Sequence, residues 1–124
     1  MAQIKAKLTE VDPVWQQICQ EAEAAIKDEP LIGGFVHTSV LHHGSLEDAL
    51  AYRISMKLAS SEMSDQMLRE IADEAYASEP AMAASARADI VAIYDRDPAC
   101  HRFLQPLLFF KGFQAVQAHR LGAW

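Results

Sequence analysis

The chain has 124 residues, 51% of them hydrophobic, which is enough apolar material for one domain with its own core. Its formal net charge is −6 and its pI is near 5.2, and no stripe of basic residues is visible, so we expect no nucleic-acid partner. No segment approaches the roughly 20 apolar residues that a membrane-spanning helix requires, so we expect no membrane association.

The two cysteines, Cys19 and Cys100, lie far apart in the sequence and form no Cys-x-x-Cys pair. Two separate thiols are typical of a reducing compartment, although the sequence leaves a disulfide between them open. Residues 1–8 lack the long apolar core of a signal peptide. We therefore expect a cytoplasmic protein.

Alanine contributes much of the hydrophobic content, and few windows place β-branched or aromatic residues at every second position. This composition predicts an all-α domain over residues 1–124, a compact bundle of six or seven helices. Asp12 and Pro13 predict the N-cap and first position of a helix that runs to about residue 26. A shorter second helix is expected over about residues 31–41, ended by Gly44 in a left-handed cap.

Two further helices are expected in the middle of the chain, each begun by a serine or aspartate. Ser45 is the expected N-cap of the third helix, with Asp48 three residues later in an arrangement like a capping box. The fourth helix begins at Ser64 or Asp65. The side chains expected to face inward are Leu46, Leu50, Ile54 and Leu58 in the third helix and Leu68, Ile71, Ala72 and Ala75 in the fourth.

A fifth helix is expected to start at Pro80 and to end within residues 95–98, because an aspartate and a proline interrupt the pattern there. The last helix is expected from about Pro106 to Leu121. Gly112 would lie in its interior, where a glycine costs about 1 kcal/mol against alanine, so we expect a close helix crossing at this position.

Asp97 is the strongest candidate for a functional residue. An aspartate before a proline is a preferred N-cap, whose carboxylate accepts backbone N–H groups of the next turn. A carboxylate held in this way also points in a fixed direction, so a structural role and a binding role are compatible. The residue types by themselves favour the structural role.

The remaining candidates for chemistry are histidines and one cysteine. The histidines lack the spacing of three or four that a metal site on one helix face needs, and no cysteine or carboxylate completes a set. We expect no metal site and place them at the surface or at helix ends: His37, His42, His43, His101 and His119. Cys100 is expected to be a small packing residue, because no partner that would lower its pKa is evident.

Three runs of residues carry a resemblance to a known family. They are residues 95–99, which read Asp-Arg-Asp-Pro-Ala, residues 105–124, and residues 73–86. Together they closely resemble the N-terminal helical domain of bacterial serine O-acetyltransferases, and a weaker similarity extends through nearly all of the chain. In that family a left-handed β-helix follows this domain, and none of its hexapeptide repeats is present before Trp124.

The resemblance implies a function for the complete protein and a place for one site. The family transfers an acetyl group from acetyl-CoA to the hydroxyl of L-serine, the first step of cysteine synthesis, and L-cysteine inhibits by occupying the serine site. By resemblance, Asp97 helps to hold the ammonium group of the amino acid, and Pro98 and Ala99 shape the adjacent wall.

The resemblance places the catalytic machinery outside this chain. The histidine base and the acetyl-CoA groove belong to the β-helix, so we expect no catalytic residue, no cofactor and almost no activity in the 124-residue chain alone. The family's helical domain joins two trimers into a hexamer, and a C-terminal tail beyond this chain docks onto O-acetylserine sulfhydrylase. The alternative is a standalone helical interaction module in which Asp97 is only a cap.

Overall fold

The computed structural model describes residues 12–124, so the expectation about residues 1–8 lies outside the described part of the chain. The described residues form seven α-helices and no strand, which confirms the predicted all-α class. The helices are α1 (Pro13–Asp28), α2 (Gly33–Val36), α3 (Leu46–Leu58), α4 (Asp65–Ser78), α5 (Pro80–Arg96), α6 (Leu104–Phe109) and α7 (Lys111–Ala123). None of them has the length and apolar content needed to cross a bilayer.

Side-chain caps begin three of the long helices, as predicted. The Asp12 carboxylate accepts hydrogen bonds from the backbone N–H groups of Val14 and Trp15 at 3.1 and 3.2 Å. Ser45 and Ser64 cap α3 and α4 through their hydroxyls. The capping box at Ser45 is only half formed, because the Asp48 carboxylate is bonded to other side chains.

The segment between α1 and α3 is not the single helix that the sequence predicts. It consists of a 3₁₀ turn (Pro30–Ile32), the short helix α2 and a π turn (His37–Leu41). The wider π turn ends with the N–H of His42 bonded to the carbonyl of His37 at 2.8 Å. The predicted left-handed cap at Gly44 is wrong, since no glycine of residues 12–124 has a positive φ.

The last predicted helix is two helices, and the chain turns between them at Phe110, which is extended with φ −92° and ψ 101°. At the end of α6, two side chains donate hydrogen bonds to carbonyls that a continuing helix would pair with backbone N–H groups. Gln114 donates to the carbonyl of Leu107 at 2.8 Å and Arg53 donates to the carbonyl of Leu108 at 2.9 Å. Because these two carbonyls are already satisfied, the helix can stop without leaving their oxygens unpaired.

Two residues that were expected to mark the last helix therefore have different positions. Pro106 is the third residue of α6, where a missing N–H costs nothing. Gly112 is the second residue of α7, and a Cβ added there would meet no neighbouring atom within 4 Å. The predicted close helix crossing at Gly112 is wrong.

The core lies between α1, α3, α5 and α6 and is filled by aliphatic side chains with alanines at the helix contacts. Its largest fully buried apolar side chains are those of Ile18, Leu46, Leu50, Ile90, Leu107 and Leu108. Leu58 and Ile71 were expected to face inward but are 52% and 43% exposed. They line an apolar groove with Leu68 and Leu121. Periodicity identifies an apolar face, but it does not show how far the neighbouring helices extend along that face.

Candidate functional site

Asp97 lies directly after α5, where it is the C-cap residue and its N–H donates to the carbonyl of Ile93 at 2.9 Å. Its carboxylate Oδ1 accepts the N–H of Ala99 at 2.9 Å, and its carbonyl accepts the N–H of Cys100 at 3.0 Å. These two bonds form a tight turn around Pro98. The next helix starts only at Leu104, so the prediction that Asp97 is an N-cap is wrong, although its carboxylate does hold a turn.

The carboxylate of Asp97 has acceptor capacity to spare. Asp97 is half-buried, and Pro98 and Ala99 are exposed. Among residues 12–124, the N–H of Ala99 is the one donor that this carboxylate receives. Ala92, Ile93 and Arg96 form an open depression beside it. The arrangement presents an anionic oxygen in a fixed direction, which suits an ammonium or another cationic donor of a small ligand.

The three predicted site residues, Asp97, Pro98 and Ala99, lie together because they are consecutive residues of one turn. Asp95, two residues before Asp97, is exposed at the end of α5 and makes no side-chain hydrogen bond to the described residues. The two carboxylates therefore differ in their surroundings despite their closeness in sequence, and Asp95 is a natural control for Asp97.

His43 lies just after the π turn, near a helix end as expected, but its side chain is not at the surface. It is buried, with Nδ1 2.6 Å from Asp48 Oδ2 and Nε2 3.0 Å from the carbonyl oxygen of Thr38. Burial by itself would raise the pKa of Asp48, but the hydrogen bond with His43 and the guanidinium of Arg69 outweigh burial and hold this pKa below its usual value. The side chains of His43, Asp48 and Arg69 therefore connect the π turn, α3 and α4, and their role is structural.

Within residues 12–124, no three His, Cys, Asp or Glu side chains are grouped as a metal site would require. Both thiols are free, so the possible disulfide between Cys19 and Cys100 is not formed. Cys100 is buried, its Sγ donates to the carbonyl of Arg102 at 3.3 Å, and burial raises the pKa of its thiol. It packs as the sequence predicts and is not activated as a nucleophile.

Two residues near the site were missed from the sequence. Gln105 accepts the N–H groups of His101 and Arg102 at 2.6 and 2.9 Å, and Glu21 of α1 accepts the N–H of Leu104 at 2.9 Å. Gln105 directly precedes Pro106, where a helix start was expected, so it could have been considered as a polar residue at that start. No sequence signal relates Glu21 to a residue 83 positions later.

The described residues thus define an all-helical domain that presents one carboxylate on a tight turn at the end of its fifth helix. Residues 14–118 match the family model described as the N-terminal part of serine acetyltransferase. The chain belongs to this family.

Individual relatives agree with this assignment. The serine acetyltransferase of Salmonella typhimurium is 45% identical over 115 residues, which are 93% of this chain and 42% of that protein. The crystal structure of serine acetyltransferase from Brucella abortus in complex with coenzyme A has a TM-score of 0.88 at 42% identity, covering 94% of this chain and 47% of that one.

A third relative was crystallised with an amino acid. The serine acetyltransferase of Neisseria gonorrhoeae in complex with serine has a TM-score of 0.84 at 43% identity, covering 91% of this chain and 47% of that one. The present chain therefore spans less than half the length of these three relatives.

Proposed function

We propose that this chain is the N-terminal assembly domain of a serine O-acetyltransferase, which converts acetyl-CoA and L-serine to O-acetyl-L-serine and coenzyme A and is inhibited by L-cysteine. Family membership over residues 14–118 supports the proposal. Acetyl-CoA is then a co-substrate bound by residues beyond this domain, and no cofactor is needed here. Two free thiols are consistent with a cytoplasmic location.

We infer that Asp97 helps to hold the ammonium group of L-serine and of L-cysteine, with Pro98 and Ala99 beside the amino acid. The observation that carries this inference is the carboxylate of Asp97, which is oriented by the N–H of Ala99 and retains free acceptor positions. An ammonium carries a full charge and three donors, so a carboxylate is its preferred partner. A turn closed by two hydrogen bonds keeps the carboxylate in place before the ligand arrives.

Asp97→Asn in the complete enzyme tests this role with little change of fold. Asparagine can keep the turn, because its side-chain oxygen still accepts the N–H of Ala99, but it removes the charge. A charge-assisted hydrogen bond is about twice as strong as a neutral one, so we expect the serine KM and the cysteine inhibition constant each to rise about tenfold. The KM for acetyl-CoA should stay unchanged.

Asp95→Asn is the matched control, because it removes the same charge two residues away without touching the turn. It should leave all three constants near their wild-type values. If Asp97→Asn leaves both the serine KM and the cysteine inhibition unaltered, Asp97 is not part of the amino-acid site. Asp97 would then be a turn residue only, as the standalone-module alternative requires.

We also propose that the domain takes part in a homo-oligomer, as a dimer of trimers. Its support is apolar surface: the side chains of Leu31, Phe35 and Phe109 are 101%, 40% and 59% exposed, and the two phenylalanine rings lie 6.3 Å apart. Exposed apolar clusters of this kind are typical of interaction surfaces. Sedimentation of the complete enzyme tests this proposal through its mass. A sulfhydrylase partner, if present, would bind outside the described residues.

A further inference from the structure

The connection between α5 and α6, residues 97–104, has no regular secondary structure before its last residue, yet every backbone N–H in it has an acceptor. Asp97 supplies two of these acceptors through its carboxylate and its carbonyl, and Gln105 supplies one oxygen to His101 and Arg102. Glu21 supplies the last two, accepting the N–H of Phe103 at Oε2 and of Leu104 at Oε1, at 3.3 and 2.9 Å. Side chains accept five of these N–H groups, and the backbone carbonyls of Ile93 and Asp97 accept the other two.

The three acceptor side chains differ in what they attach the connection to. Asp97 and Gln105 lie within or next to it, so their bonds shape the connection but do not tie it to another part of the molecule. Glu21 belongs to α1, and its bonds span 82 and 83 residues of sequence. It is therefore the side chain that fixes the position of the connection relative to a separate helix.

The helix that carries Glu21 is itself held firmly in the core. Ile18 and Ala22, on the same face of α1, are both fully buried. Gln17 donates to Glu21 Oε2 at 3.2 Å, which orients the carboxylate. Glu21 thus has a rigid backbone and a supported side chain, and both of its oxygens are directed at the connection.

The other contacts of the connection hold its middle. The thiol of Cys100 is buried, and the ring of Phe103 packs edge-on against that of Tyr94 at 4.9 Å between centroids. The attachments are therefore the Asp97 turn at one end, Cys100 in the middle and Glu21 at the other end. If the last attachment is lost, the connection keeps the Asp97 turn and the packing of Cys100 and Phe103, but its end at Leu104 is no longer bonded to α1.

We propose that Glu21 is a positioning residue for the amino-acid site: it does not touch the ligand, but it holds the connection so that the Asp97 carboxylate meets the ammonium group. This inference rests on the function proposed above for Asp97. It extends the site to a helix 76 positions earlier in the sequence (97 minus 21).

Steady-state kinetics of the complete enzyme test the proposal with Glu21→Ala, Glu21→Gln and the control Glu23→Ala, an exposed residue of the same helix. Since small misplacements of a binding group are costly, Glu21→Ala should raise the serine KM and the cysteine inhibition constant about 5- to 20-fold. The KM for acetyl-CoA should not change. Glu21→Gln keeps one acceptor oxygen but sets an NH2 donor against the other backbone N–H, so it should raise both constants by a smaller, intermediate factor, and Glu23→Ala should have no effect.

A second set of variants separates positioning from a general loss of stability. In the Asp97→Asn background, Glu21→Ala should raise the serine KM and the cysteine inhibition constant much less than in the wild type. The carboxylate that Glu21 positions has already lost its charge there. Equal effects in both backgrounds, or an equal rise in the KM of both substrates, would overturn the proposal. If Glu21→Ala does not fold, Glu21→Gln in the two backgrounds gives the same comparison.

The outcomes also distinguish this inference from the function on which it rests. An effect of Asp97→Asn on serine and cysteine without any effect of Glu21→Ala refutes the positioning role alone. No effect of Asp97→Asn refutes the amino-acid site at Asp97 and the positioning role with it.

Discussion

Asp12 offers a measurable test of how the first helix is fixed, because one carboxylate makes two different kinds of contact. Oδ1 accepts the N–H groups of Val14 and Trp15, and Oδ2 pairs with Arg87 of α5, which also binds Glu47 of α3. The side chains of Asp12 and Arg87 are 20% and 26% exposed, so this ion pair is partly shielded from solvent.

The two contacts predict different costs for two substitutions of Asp12. Loss of an N-cap costs about 1 kcal/mol, and a partly exposed ion pair contributes up to about 1 kcal/mol. Asp12→Ala removes both and should lower the free energy of unfolding by about 1.5–2 kcal/mol. Asp12→Asn keeps the cap, since asparagine caps as well as aspartate does, and should cost only about 0.5–1 kcal/mol.

Urea denaturation of the wild type, both variants, Arg87→Gln and the double variant Asp12→Asn/Arg87→Gln measures these costs. The double-mutant cycle isolates the interaction between the two side chains, which should be about 0.5–1 kcal/mol. Equal losses for Asp12→Ala and Asp12→Asn would show that the cap contributes nothing. A coupling energy of zero would show that the pair with Arg87 contributes nothing.

Two further predictions concern stability. Gly112→Ala should stabilise the protein by about 0.5–1 kcal/mol in the same assay, because the added Cβ meets nothing within 4 Å and glycine is the weaker helix former; a loss would contradict this. Burial, with Glu47 nearby, raises the pKa of Tyr76 from 10.0 to about 12, so stability is intact below pH 10 and falls by about 2–3 kcal/mol as the pH rises to 12. Tyr76→Phe should reduce this decline in the free energy of unfolding. An equal decline in the wild type and in Tyr76→Phe would show that Tyr76 does not cause it.

Local signals in the sequence were sufficient for the starts of three long helices, α1, α3 and α4. Asp12, Ser45 and Ser64 cap their helices because a cap depends on the residue itself and on the three that follow it. The break at Phe110 could not be found in this way. It depends on Arg53, 55 residues before its acceptor Leu108, whose guanidinium satisfies a carbonyl at the end of α6.

The candidate site likewise combines contacts between residues close in sequence, which could be predicted, with contacts between distant residues, which could not. The turn at Asp97 is encoded within three residues, so an aspartate followed by proline was enough to identify an oriented carboxylate. The error there was the expectation of a helix directly after it. Glu21 could not be found from the sequence, since its bonds to Phe103 and Leu104 exist only once α1 and α6 have packed together.

The bonds of Glu21 also bear on the order in which the chain can complete its structure during synthesis. Glu21 leaves the peptidyl-transferase centre 83 residues before Leu104, which at about 5–20 residues per second is a delay of about 4–17 s. Throughout that interval α1 can pack against the helices that follow it directly, but the Glu21 carboxylate has not yet met the N–H groups of Phe103 and Leu104. The turn that carries Asp97 therefore gains its last attachment only when nearly the whole domain has been made.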